Sequence, residues 1–375
     1  MAPAAHAAAT LDPSFGDGGV ALTDFGGGDR GNGVAVQPDG RIVAAGYRTS
    51  SGATWYDFIG QRLEPGGDAL DTSFGLGGGF LTPMSPGPAN DYAEDVALAP
   101  DGKVVVAGYT IPDGGHTGSL AVARYESDGD LDPTFGTGGK AIVSLAPDGQ
   151  FEQYWAVAVR GDGRVLVAGA VRFGTSDDPI QLAVARLTAG GQLDTTFGDQ
   201  GVARALAGTS SQGFHLALAP DGGVVAAGFA VSSGAQVPLV VRLTAAGTPD
   251  SGFDGDGVLT LPSSLGGLAG GVDVAGDGDV LVGLWRNSIA SRTWGVARLT
   301  ASGALDTSFG DGDGSVESTV ASSDGGVIME GLAIDSLGRV AVGGSAPGSR
   351  PAVARYTASG HPDDLFGPAG VVVDE

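Results

Sequence analysis

Five side chains in this 375-residue sequence are of the types that a hydrolytic centre needs: an amide, three carboxylates and an imidazole, at Asn32, Glu94, Asp95, His215 and Glu330. They occupy related positions. Counted back from a recurring turn glycine (Gly40, Gly102, Gly163, Gly222, Gly278 and Gly338), the place of Asn32 is taken by Glu94, Trp155, Phe214, Gly270 and Glu330, and the next place holds Asp95 and His215. If folding gathers them, Asn32, Glu94, Asp95 and Glu330 could supply oxygens to Ca²⁺, which takes about six to eight. His215 and Glu330 would then be the catalytic residues, the imidazole acting as general base. A polar, water-filled opening accounts for the same residues without any chemistry.

A second set is aromatic. Trp55, Tyr56, Tyr92, Trp155, Trp285 and Trp294, with Arg286 beside them, fall near strand ends, together with Tyr47, Tyr109 and Tyr154. Aromatic rings at the loop ends of a rigid scaffold suit stacking on sugar rings or anchoring an extended peptide. Other chemistry is thinly represented. There is no Cys, and the four His form no HExxH or paired zinc motif. No G-x-S-x-G phrase, Walker A phrase or dinucleotide-binding glycine motif occurs. The Asp-Gly clusters at 254–257, 276–279 and 311–314 lack the spacing of a calcium loop and read as hairpin turns.

Charge removes whole classes of partner. Nineteen Lys and Arg stand against 43 Asp and Glu, a formal charge of −24 that repels phosphate backbones and anionic bilayers. No nucleic acid and no membrane insertion are expected, since no run of about 18 apolar residues is present either. Residues 1–10 read as a flexible N-terminal stub, either the remnant of a removed signal peptide or a cloning start, and on the first reading a secreted, periplasmic or cell-surface protein is expected.

The elements that position these residues come from repetition. The 69 Gly and 20 Pro could mean disorder, but one phrase recurs along the whole chain: Leu11-Asp-Pro-Ser-Phe-Gly returns at Leu70, Leu131, Leu193 and Leu305, with degraded copies at Pro249 and Pro362. A second phrase, Pro38-Asp-Gly-Arg-Ile-Val-Ala-Ala-Gly, has six copies. Between them apolar residues alternate with period two, broken at hairpin spacing by Asp-Gly or Gly-Gly. Each unit therefore reads as four strands, in the first unit A (33–37), B (41–47), C (58–63) and D (79–83). Six such units bury both faces by radial stacking, which predicts an all-β, six-bladed β-propeller of four-stranded antiparallel blades, a single domain over 11–375 and a monomer. D-like strands occur at both chain ends, 20–25 and 371–374; one must complete the sixth blade and the other should pair beside it. Each unit also carries an Arg on strand C (Arg62, Arg124, Arg186, Arg242, Arg298, Arg355) followed eight or nine residues later by the Asp of the LDxxFG phrase. A pairing present in all six reads as a structural clasp, and the repeated Phe as core between blades.

At the LDxxFG and PDGxxxxAG phrases the chain resembles the bacterial delta-60 repeat family. The resemblance implies a β-propeller and frequent export, with no agreed activity or catalytic residues. Leu337 in place of the turn Asp, and Pro-Asp-Ser-Gly-Phe-Asp at 249–254, depart from its pattern. The expected role is a binding module for a glycan or extended peptide on the aromatic rim. The alternative, by analogy of fold with lactonase-type propellers, is a calcium-dependent hydrolase at the channel mouth.

Overall fold

The computed structural model describes residues 10–25, 27–49, 55–113, 115, 118–146, 150–285, 293–319, 328–346 and 350–373. Alternating small β-branched residues and turn glycines produce strands throughout, and the described residues contain no α-helix. The first blade comprises β1 (Asp29–Val36), β2 (Ile42–Thr49), β3 (Tyr56–Leu63) and β4 (Gly79–Thr82). The second is β5 (Ala89–Leu98), β6 (Val104–Pro112), β7 (Ser119–Tyr125) and β8 (Lys140–Val143); the third is β9 (Glu152–Val159), β10 (Val165–Val171), β11 (Gln181–Leu187) and β12 (Val202–Ala205). The fourth is β13 (Ser211–Leu218), β14 (Val224–Ser232), β15 (Ala235–Leu243) and β16 (Val258–Thr260); the fifth is β17 (Leu268–Val274), β18 (Val280–Trp285), β19 (Thr293–Leu299) and β20 (Ser315–Thr319). The sixth is β21 (Ile328–Ile334), β22 (Val340–Ala346), β23 (Arg350–Tyr356) and β24 (Val371–Val373). Every sheet is antiparallel with its strands paired in chain order, the architecture of a six-bladed β-propeller. Two compact units are present, Leu11–Arg204 and Ala205–Glu375.

The repeated phrases prove to be framework. In all six blades the strand-C arginine donates from Nε to the LDxxFG aspartate: Arg62 to Asp71 at 2.8 Å, Arg124 to Asp132 at 2.7 Å, Arg186 to Asp194 at 2.8 Å, Arg242 to Asp250 at 3.0 Å, Arg298 to Asp306 at 2.6 Å and Arg355 to Asp363 at 2.8 Å. The same guanidinium reaches the following blade. Arg62 donates to the Ser127 carbonyl at 2.6 Å and Arg124 to that of Ala189 at 2.5 Å. It also lies over the repeated phenylalanine, Arg62 at 4.4 Å from the Phe74 ring centre and Arg124 at 4.6 Å from that of Phe135. Phe74, Phe135, Phe253 and Phe309 are fully buried in cores shared by neighbouring blades.

The C-terminal strand completes the sixth blade, β24 pairing with β23 through Ala352–Val373, Val353–Val372 and Ala354–Val371. The expected second strand at 20–25 does not form. That segment rests on the first blade, where Arg48 donates to the Phe25 carbonyl and Gln61 to the Thr23 hydroxyl, and it borders a cavity of about 630 Å³ with Leu81 and Phe80. Side-chain hydrogen bonds from the blade engage it, while it has no ladder of backbone bonds. The innermost strand is longer than expected, β1 beginning at Asp29 where alternation predicts a start at 33. A bulge within it breaks the period-two pattern and hid that extension.

Candidate functional site

The bulge recurs in all six innermost strands at the same place. On β1 the register jumps from Gly31–Gly46 to Gly33–Ala45, leaving Asn32 unpaired, and on β5 it jumps from Ala93–Gly108 to Asp95–Ala107, leaving Glu94 unpaired. Trp155 on β9, Phe214 on β13, Gly270 on β17 and Glu330 on β21 are the corresponding extra residues. The final glycine of the PDGxxxxAG phrase makes room for it. A Cβ at Gly46, Gly108, Gly169, Gly228 or Gly344 would collide with a carbonyl oxygen of the bulged strand. Bulges re-aim a side chain out of the pleat, so the scaffold presents one variable residue per blade.

In the unit Leu11–Arg204 the bulged residues Asn32 and Glu94 touch. Asn32 donates from Nδ2 to the Ala93 carbonyl and to Glu94 Oε2, both at 2.9 Å, while its Oδ1 accepts from Arg30 Nε at 2.9 Å. Burial pushes the Glu94 carboxyl up to about 7, Arg30 pulling it down and Asp95 adding to the rise. Asp95 belongs to the scaffold. One of its oxygens accepts the Val96 amide and the other the Val157 amide, each at 2.8 Å, so it ties β5 to β9. Asp273 does the same between β17 and β21, accepting the Val274 amide at 2.8 Å and the Ile334 amide at 2.9 Å.

Of the residues expected to hold calcium, Asp95 has both oxygens on backbone amides and Asn32 turns its amino group to Glu94, so these groups are engaged with the strands and with one another. Among the described residues no three His, Asp or Glu side chains are arranged to hold a metal ion. Burial pushes the His215 imidazole down to about 4. His215 sits on β13 beside the bulge, and Glu330 is an exposed bulge residue on β21.

Beside Glu94 the structure assembles four tyrosines. Tyr47 lies 5.2 Å from Tyr56 and 5.0 Å from Tyr92 between ring centres, Tyr56 lies 5.2 Å from Tyr92, and Tyr92 stacks on Tyr109 at 4.9 Å. They come from β2, β3, β5 and β6, two blades that meet here. Tyr47, Tyr56 and Tyr92 are half-buried, and Tyr109 is buried beneath them. Burial raises the Tyr92 hydroxyl, with Tyr56, Tyr47 and Glu94 adding to the rise; Tyr109 is raised by burial, then by Glu94 and Tyr92. The four rings and the carboxyl therefore share one local field.

The other expected aromatics divide. Trp55, next to Tyr56, and Trp155 are half-buried. Trp294 is a correction: it is fully buried among Phe309, Met329 and Tyr356, where its size fills the core between blades, and no ligand reaches it. Trp285 pairs with it across β18 and β19 and is half-buried against that same core. Tyr154 is likewise buried, its hydroxyl donating to Glu152 at 2.9 Å. Arg286 lies outside the described residues. Arg30 is the one contact here that the sequence reading did not include; it lies two residues before Asn32 on β1.

Five stretches of the chain, 37–74, 99–135, 160–197, 219–253 and 275–309, match a family described as a domain of unknown function (DUF5122) beta-propeller. The chain is thus a β-propeller repeat protein. Each matched stretch ends on the phenylalanine of the clasp and leaves out the bulged residues, so the match records framework. No curated protein matches the sequence. Among solved structures the fold is similar to the alpha-L-arabinofuranosidase arb93a of Fusarium graminearum in complex with an iminosugar inhibitor, at 10% identity over 86% of this chain and 90% of that one, TM-score 0.51. It is also similar to an alpha-L-arabinanase of Penicillium chrysogenum complexed with arabinobiose, at 11% identity over 87% and 92%, TM-score 0.51.

Proposed function

We propose that this protein is an exported glycan-binding propeller of the delta-60 kind, a single monomeric domain that binds its ligand on the tyrosine cluster of the first two blades. The observation that carries the reading is the convergence of half-buried Tyr47, Tyr56 and Tyr92 beside the Asn32–Glu94 pair. One face of a pyranose is a sheet of C–H groups that packs flat on an aromatic ring, while its rim of hydroxyls needs donors and acceptors close by. Both requirements meet here: rings from four strands, a carboxyl and an amide. The two solved structures similar in fold hold arabinobiose or an iminosugar, which supports sugar recognition as something this architecture can host and transfers no residue.

Titration calorimetry of the full chain, guided by a glycan array, tests this. Tyr56→Ala and Tyr92→Ala should each weaken glycan binding by at least about tenfold, since a stacked aromatic contributes on the order of 1.5 kcal/mol. Glu330→Ala and His215→Ala should leave it unchanged. Binding unaffected by either tyrosine change would remove the site, and capture of an extended peptide with no glycan bound would replace the ligand class.

A further inference from the structure

We propose that the tyrosine cluster and Glu94 form a site for an organic ammonium group, so that the preferred glycan carries free amino groups, as a deacetylated hexosamine does. The inference rests on the glycan reading and names its ligand class. The rings and the carboxyl both favour a cation. Aromatic rings present negative faces that attract ammonium groups within about 6 Å, and three half-buried rings, Tyr47, Tyr56 and Tyr92, stand here with centre separations of 5.0 to 5.2 Å. Glu94 is half-buried on a bulge, and Asn32 occupies only its Oε2; no described residue donates to Oε1. A carboxylate stripped of part of its water gains more from a partner cation than one in bulk solvent does.

The hydroxyls add a second argument. Two other tyrosine hydroxyls are used internally, Tyr125 donating to Thr82 at 2.8 Å and Tyr154 to Glu152 at 2.9 Å. Those of Tyr47, Tyr56, Tyr92 and Tyr109 make no hydrogen bond to another described residue, leaving a group of oxygens suited to accept N–H. Arg30 is the competing cation. It is exposed and turned to Asn32 Oδ1, so water screens it more than the half-buried carboxyl. Last, a net charge of −24 draws cationic ligands and repels uronic acids or sulfated chains.

The test uses the full-length protein and three probes in calorimetry: a glucosamine tetramer, its fully N-acetylated counterpart, and tetramethylammonium followed by tyrosine fluorescence. The free-amine tetramer should bind at least about tenfold more tightly than the N-acetylated one, and tetramethylammonium should compete with it. Glu94→Gln keeps shape and hydrogen bonding but removes charge, so it should erase the preference for the amine while binding of the N-acetylated tetramer is retained. Equal binding of both tetramers, or a preference that survives in Glu94→Gln, overturns the ammonium site and leaves the glycan reading standing. Tetramethylammonium binding with no saccharide bound in any form would keep the ammonium site and overturn the glycan reading instead.

Discussion

Each strand-C arginine has several partners, and that is why it recurs. Arg124 pairs with Asp132, donates to the Ala189 carbonyl of the following blade and covers Phe135. Asp132 is fully buried, so the Arg124→Ala change leaves a buried carboxylate with Lys103, at 2.8 Å, as its remaining cation and Thr134 as its remaining neutral donor. Breaking a buried pair from one side costs about 3–5 kcal/mol, and the surviving lysine sets the expectation at the low end, about 3 kcal/mol. Urea unfolding checks it; a loss below about 1 kcal/mol would mean that Lys103 and Thr134 hold the loop without the arginine. The Arg–Asp spacing made this legible from sequence. The fate of Asp95 was not: only the neighbouring blade shows that Val157 takes its second oxygen.

At the scale of elements, the glycine that closes the PDGxxxxAG phrase and the bulge opposite it are one device. Gly108 is needed because the bulge at Glu94 brings the Tyr92 carbonyl against the space a Cβ would fill. Gly108→Ala should therefore straighten β5 or unseat it, costing on the order of 3 kcal/mol and displacing both Tyr92 and Glu94. The expected signature is double: a lower melting temperature and loss of glycan binding by the variant even when kept well below that temperature. A stable variant that binds normally would show that the bulge does not aim the site. Alternation predicted β2 and β3 to within two residues, yet missed the first four residues of β1, because a bulge interrupts the period that reveals a strand.

For the whole molecule, charge is the governing quantity. Forty-three acids against nineteen Lys and Arg repel one another across the surface. Salt acts on two sets of charges. It screens exposed acids strongly, the Debye length falling from about 30 Å at 0.01 M to about 8 Å at 0.15 M, and buried clasp pairs much less. Repulsion should therefore be relieved by more than the clasps are weakened, and the melting temperature should rise over that range. A fall on adding salt would mean that ion pairs outweigh self-repulsion.

Repetition is what made so much readable in the sequence. Blade number, strand order, the clasp and the buried phenylalanines each appear several times over, so local pattern and framework coincide. The tertiary structure alone decided the rest: that β24 completes the sixth blade while 20–25 lies against the first, that Trp294 fills a core, and that Tyr47, Tyr56, Tyr92 and Tyr109 meet beside Glu94. These depend on which side of a strand a residue faces after a bulge, and on what the adjoining blade places opposite it. Neither is encoded within one repeat, because a one-residue shift in register exchanges the buried and open faces of everything that follows.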